Sequence, residues 1–204
     1  MRTKARLFLV LSSCAFGLFA CSSSKQPYQK PNLKPSDEVK VYVGGGNFKD
    51  GVVCATKTSV IGRGTRYGDL CLGKLVGFNL GQLKEGQVAI FIPETETDGQ
   101  GKILDTDELI PSADLKPTKD QSKLKPPVEP NDIVLVLYGV TMDKTIIPAR
   151  VVKLEGGDLY FNVLINMDVE SSPLYWLKTD TPGIYKADSW YVPSPKIAES
   201  LKKL

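Results

Sequence analysis

Apolar residues in this chain fall into three kinds of stretch. Leu7 to Ala20 is a near-continuous apolar run interrupted by Ser12 and Ser13. Shorter stretches rich in β-branched and aromatic residues follow, at Val39 to Gly44, Val53 to Ile61, Leu70 to Phe78, Gln87 to Pro93, Asp132 to Gly139, Thr145 to Leu154, Asp158 to Asn166 and Ser189 to Pro195. Each is bounded by Gly, Asn, Asp or Pro, so the pattern predicts β-strands. The third kind is helical: Ile197, Ala198, Leu201 and Leu204 recur along one side of a short segment that Ser194 can cap, Pro195 can start and Lys202 and Lys203 can end. Two polar, Pro- and Lys-rich segments divide this pattern. Ser22 to Asp37 lacks the apolar content to fold and reads as a tether, and Pro111 to Asp132 reads as a linker or long surface loop. The expected fold class is therefore all-β, with strands in two blocks, residues 38–110 and 132–204, joined by residues 111–131 and closed by a C-terminal helix.

The two blocks can be laid over one another. "EVKVYVGG" (from Glu38) faces "DIVLVLYG" (from Asp132), "CLGKLVGFN" (from Cys71) faces "PARVVKLEGG", "GQVAIFIPETE" (from Gly86) faces "DLYFNVLINMD" (from Asp158), and "TDELIPSAD" (from Thr106) faces "DSWYVPSPK" (from Asp188). An ordered internal echo of this kind points to two copies of one small unit. Gly156-Gly157 is a two-residue hairpin connection able to supply positive φ at both positions. "DIVLVLYG" followed by "IPARVVKLEGGDLYFNVLINMD" resembles the Tudor and Agenet branch of SH3-like barrels. The resemblance implies two small SH3-like (Tudor-like) barrels in tandem, each a non-catalytic binding module. In that family, aromatic side chains can form a cage for a cationic ligand through cation–π attraction.

At the N-terminus, Met1 to Arg6 carries three positive charges and no acid ahead of the apolar run, the pattern of a secretory signal over residues 1–20. The run of about fourteen residues is shorter than the roughly twenty a spanning helix needs. "LFAC", Leu18 to Cys21, resembles the bacterial lipobox, which implies lipidation of Cys21 and, with Ser22 following it, an outer-membrane address. "LSSC", ending at Cys14, is a second match, but its preceding apolar run is only five residues long. Cleavage after Ala20 without lipidation is the other reading. Residues 21–37 would then be a lipidated cysteine and its tether.

Removing the signal removes Arg2, Lys4 and Arg6, which takes 26 basic residues to 23 and matches the 23 acidic ones. A mature chain of zero net charge lacks the cationic surplus that nucleic-acid binding requires. The chain contains no histidine, so the commonest general base and transition-metal ligand are missing, as are the Ser and Cys triads that use it. "GRGTRYG" (Gly62 to Gly68) falls between strands and reads as a turn. No cofactor is expected.

Cys54 and Cys71 are the pair remaining in an exported chain, which favours a disulfide. A hairpin turning on Gly62-Arg63 would set them directly opposite each other on adjacent strands. "ETETDGQGKILD" (Glu94 to Asp105) partly echoes a calcium loop, but the better reading is a polar hairpin loop turning at Asp98-Gly99. Alternation makes Tyr160 and Phe161 face opposite ways, one into the core. Tyr175, Trp176 and Trp190 are the candidate ligand-binding residues, the first two in a long apolar connection. The expectation is a membrane-anchored envelope lipoprotein that binds an envelope protein, peptide or cell-wall glycan without catalysis. Its rivals are a purely structural envelope subunit, and a carboxylate hydrolase using Asp105, Asp107 and Glu108.

Overall fold

The computed structural model describes residues 28–58, 71, 81, 83–95, 98–115, 125–138, 145–164, 178–181 and 183–204. Residues 1–20, expected to be a signal, and Cys21, Tyr175 and Trp176 lie outside the described residues.

Alternation builds the first strand: in β1 (Glu38–Gly44) Val39 and Val41 are buried while Glu38 is exposed and Lys40 and Tyr42 are half-buried, and the alternation ends at the register irregularity between Tyr42 and Gly44, where Val43 is exposed. β2 (Asn47–Thr56) runs antiparallel to it and then pairs with β3 (Gln87–Pro93), which pairs with β4 (Gly99–Asp105). A 3-10 turn, Thr106–Glu108, redirects the chain so that β5 (Leu109–Pro111) returns to the free side of β1, with Val41 opposite Leu109. The sheet order is β4-β3-β2-β1-β5.

The second sheet repeats this plan with β6 (Ile133–Tyr138), β7 (Thr145–Glu155), β8 (Asp158–Val163), β9 (Lys178–Thr181), β10 (Ile184–Ala187) and β11 (Trp190–Tyr191). Its order is β11-β6-β7-β8-β10-β9. In both sheets the first strand lies between the second and the last. The turn joining β7 to β8 uses Gly156 and Gly157 at φ of 60° and 85°, the left-handed values that a two-residue hairpin needs.

Matching details extend the repeat beyond strand order. Ahead of β1, Asp37 accepts the Lys34 amide on its carboxylate, Ser36 sits at φ 78°, and the Ser36 amide donates to Val53 O. Ahead of β6, Asp132 accepts the Glu129 amide, Asn131 sits at φ 74°, and its amide donates to Val151 O. Register irregularities follow at the same place, between Val53 and Ala55 in β2 and between Val151 and Lys153 in β7. Asp37 therefore corresponds to Asp132 and Val53 to Val151. The sequence overlay, which set Glu38 on Asp132, is one residue out, a slip that exchanges the two faces of a strand. It also set residues 71–79 on β7, whose counterpart is β2.

Among the described residues, four apolar clusters are packed. Val39, Val41, Val53, Val88, Ile90, Ile92 and Leu109, with Leu33, form the core of the first sheet. Val134, Val136, Ile147, Ala149, Val151, Leu159, Phe161 and Trp190 are among those forming that of the second. A third cluster is shared: Ile110 and Leu115 meet Ile133, Leu135, Leu137, Ile197 and Leu201. This explains why Ile133 to Leu137 are all buried, since β6 is covered on both faces. The fourth packs Cys71 and Leu83 over Cys54, Ala55, Ala89 and Phe91 on the other face of the first sheet.

The C-terminal helix forms as the pattern predicts. α1 (Pro195–Leu201) has Ser194 as its N-cap, accepting the Ile197 amide, and it buries Ile197 and Leu201, while Leu204 is exposed.

Three expectations change. Residues 28–37 of the tether are seated on the first sheet: Leu33 belongs to its core and Lys30 pairs with Asp107. Parts of the expected linker are also bound in, since Pro111 ends β5, Ser112–Leu115 is a 3-10 turn with Leu115 buried, and Val128 packs on the second core. Apolar side chains at wide spacing suffice to dock such Pro-rich chain. Finally, part of the presumed loop at 94–105 is an edge strand, β4, whose side chains are only partly buried and so show little alternation.

Candidate functional site

Sequence reasoning singled out three groups of residues, and the described structure treats them differently. Trp190 is 1% exposed inside the second core, with its indole N–H donated to Pro126 O at 2.9 Å. It is a core residue and offers no ring face to a ligand. It lies opposite Val136 on β6, the place that Leu109 takes opposite Val41 in the first sheet. Tyr175 and Trp176 cannot be placed with it, as they lie outside the described residues.

Cys54 and Cys71 are joined in a disulfide with Cα atoms 5.8 Å apart. The geometry differs from the expected cross-strand pair. Both sides of β2 are taken by β1 and β3, and Cys71 has helical backbone, so it lies over the sheet face rather than beside the strand. Each sulfur-bearing residue is 2% exposed.

The carboxylates Asp105, Asp107 and Glu108 come together because the 3-10 turn between β4 and β5 gathers consecutive acids at the shared core's rim. Lys196 of α1 reaches Asp105 Oδ2 at 3.1 Å and Glu108 Oε1 at 3.2 Å. Gln87 Nε2 also donates to Asp105, and the Asp105 amide donates to Glu108, closing a capping box. The Lys196 and Gln87 hydrogen bonds hold the Asp105 carboxyl below its ordinary range, and the bond to Asp105 raises Lys196 in turn. Ser194 Oγ, besides capping α1, donates to Asp107 O at 2.5 Å. Lys30 Nζ stands 3.5 Å from Asp107 Oδ1. A carboxylate so depressed and paired is a poor general acid or base, and the cluster works as a clasp between α1 and the first sheet.

Beside the clasp, Tyr28 carries a buried hydroxyl with no hydrogen-bond partner among the described residues. Burial, then the charge of Asp107, pushes its pKa up to about 12. Tyr191 is raised in the same direction by burial, Asp114 and Tyr28.

Sequence reasoning missed a second feature, on the outer face of the second sheet. Phe161 is fully buried and Tyr160 faces the other way, as alternation requires. Lys153 Nζ lies 4.5 Å from the Tyr160 ring centroid and Lys186 Nζ 5.7 Å from it, on the strands to either side. Arg150 shares this face, because the irregularity after Val151 sets Arg150 opposite Asn162 and Lys153 opposite Tyr160. The lysines at alternate-strand positions around a central tyrosine were the available signal, but it emerges only once β8 is known to pair with β10.

Among the described residues, no three His, Cys, Asp or Glu side chains gather as a metal cradle, and no helix is long and apolar enough to cross a membrane. Comparison with protein-family models finds no matching family, and comparison with curated proteins finds no match.

Proposed function

We propose that the protein is a lipid-anchored envelope protein whose two SH3-like units are fused through a common core and serve as a non-catalytic binding module. The observation that carries this reading is the repeated strand order, with the last strand returning beside the first after a short turn, in both sheets. Meander sheets whose ends come back together in this way are the framework of SH3-like barrels, whose connections present ligand-contacting residues. The absence of histidine and the engagement of Asp105, Asp107 and Glu108 in a structural clasp argue against the hydrolase reading.

The anchor follows from the N-terminal signal and Cys21. Only residues 22–27 separate that cysteine from Tyr28, a span of at most about 25 Å over seven steps at roughly 3.5 Å per residue. The folded part is therefore held against the membrane that carries the lipid. Residues 38–110 and 132–204 act as one body because Ile110 and Leu115 pack with Leu135 and Leu201. The ligand is an envelope protein, peptide or wall glycan met by the β8–β9 connection that contains Tyr175 and Trp176.

Two measurements test this. Mass spectrometry of the chain purified from its native membrane should find a diacylated Cys21 amino terminus; an unmodified terminus removes the anchor. The chain 22–204, which keeps every described element, should be retained on isolated envelope material, and Tyr175→Ala/Trp176→Ala should lose most of that retention. Equal retention of the two forms removes the aromatic connection as the contact.

A further inference from the structure

The two sheets treat equivalent outer faces in opposite ways. In the first, Ala55 opposite Ala89 and Val52 opposite Phe91 present an apolar surface, which Cys71 and Leu83 cover under the disulfide. The corresponding pairs in the second are Lys153 opposite Tyr160 and Arg150 opposite Asn162, with Lys186 next along the row. The same place in the fold is therefore apolar and lidded in one unit, and basic and partly exposed in the other.

The charge of this face is a local surplus. Arg150, Lys153 and Lys186 lie on it, and Lys125 at its rim donates to Gly157 O at 3.3 Å. Among the described residues, Glu155 stands 2.6 Å from Lys153 and Asp158 2.8 Å from Lys186, so the four cations outnumber these two acids, on a mature chain with no net charge. The Lys153–Glu155 pair is exposed on both sides, at 52% and 64%, and an exposed pair binds weakly enough to be exchanged for another anion, while the Lys186–Asp158 pair is half-buried. Lys178 occupies the register position opposite Lys186 on the edge strand β9.

We infer that this face of the second sheet docks on the anionic headgroups of the bilayer that holds the anchor. Three features select a lipid surface. The row Lys153, Tyr160, Lys186 crosses three adjacent strands about 4.8 Å apart, so its cations are spread over a flat surface rather than converging on one phosphate. Tyr160, an amphipathic ring held between two cations, has the character of residues that settle at headgroup level. The short span between Cys21 and Tyr28 keeps the body within reach of that layer. This last argument rests on the anchor reading, while the first two do not.

The test uses the unacylated chain 22–204 in a flotation assay with vesicles of phosphatidylcholine alone and of phosphatidylcholine and phosphatidylglycerol in equal parts. Binding to the anionic vesicles only, weakening as salt is raised, is the expected result. Each juxtamembrane lysine contributes about fivefold to such binding, so Lys153→Gln/Lys186→Gln should bind about twenty-five-fold more weakly. Lys49→Gln/Lys102→Gln, with the same loss of charge on the first sheet, should bind as the unaltered chain does. Both double variants should keep the tryptophan emission of the folded protein. Equal binding to the two vesicle types, equal weakening by the two variants, or retention on an anionic wall polymer with none on the vesicles would overturn the inference. Since no acyl group is present in this assay, its result is independent of whether Cys21 proves to be lipidated.

Discussion

Replacing Leu201 by alanine tests whether the two sheets form one cooperative body. Leu201 is 0% exposed, in a cluster that holds Ile110 and Leu115 of the first unit against Ile133, Leu135 and Leu137 of the second. Removing three carbons there loses their transfer free energy and leaves a cavity walled by both units, a cost of about 3 kcal/mol. At about 2–4 °C per kcal/mol for a chain of this size, the melting temperature should fall by roughly 6–12 °C. With a urea m-value of about 2–3 kcal/mol/M, the midpoint should fall by about 1 M. Lys196→Met is the control: its ion pairs to Asp105 and Glu108 are about half exposed, so their loss should cost under about 1 kcal/mol. Far-ultraviolet circular dichroism reports both sheets, and tryptophan emission, from Trp176 and Trp190, reports the second unit. The two signals should change together in one transition, in the unaltered chain and in Leu201→Ala alike. Two separated transitions in the unaltered chain, or a smaller loss in Leu201→Ala than in Lys196→Met, would refute the shared core.

Two further outcomes follow from the same structure. Reducing the Cys54–Cys71 bond, which closes a separation of 17 residues, should cost about 3 kcal/mol by the chain-entropy model, read as a lower urea midpoint in the presence of reductant; Cys54→Ser/Cys71→Ser should show the same loss and no further response to reductant. Tyr28 ionises at about 12 in the folded chain and near 10 when unfolded, so its favourable contribution is complete below pH 10 and is lost as pH rises through 12. Tyr28→Phe should therefore flatten the alkaline fall in stability, leaving the part due to Tyr191, and at pH 7 should leave the melting temperature unchanged or higher, because the hydroxyl it removes is buried with no partner among the described residues. A steeper alkaline fall in Tyr28→Phe, or a large loss at neutral pH, would contradict that account.

Much of the strand pattern was legible because burial in a half-covered strand imposes alternation, as in Val39 and Val41 or in Leu159 and Phe161. So were the Gly156-Gly157 turn and the Ser194 cap, where local chemistry dictates local geometry. The failures have a common cause, which is contact between segments distant in the chain. Leu33 docks a Pro-rich stretch that looks unstructured when read alone. β4 is an edge strand with little to bury. The register of the repeat was misplaced by one because β6 is buried on both faces, and a strand apolar throughout gives no phase. Trp190 read as a ligand contact because a tryptophan near a loop carries no mark of its depth. The basic face was illegible for the same reason: Lys153, Tyr160 and Lys186 become neighbours only through the pairing of β8 with strands on both sides of it, one of them more than twenty residues further along the chain.

The two units place their extra chain on different connections of one sheet plan. In the first, the excursion lies between β2 and β3, and it is this excursion that supplies Cys71 and Leu83 to cover Ala89 and Phe91. In the second, the equivalent β7–β8 connection is reduced to two glycines, so it has no chain to fold back over Lys153 and Tyr160. Its excursion lies instead between β8 and β10 and includes the edge strand β9. A two-residue turn and a lid from the same connection are mutually exclusive. The polarity of the outer face follows from that choice: where the connection is long the face must be apolar to receive the lid, and where it is short the face meets its surroundings and carries charge. The disulfide belongs to the first case, since a long excursion loses more conformational freedom on docking and gains most from a crosslink. Cys54 sits at the register irregularity that the second unit repeats with Val152, so a shared feature of the plan became a tether only where there was a segment to tie down.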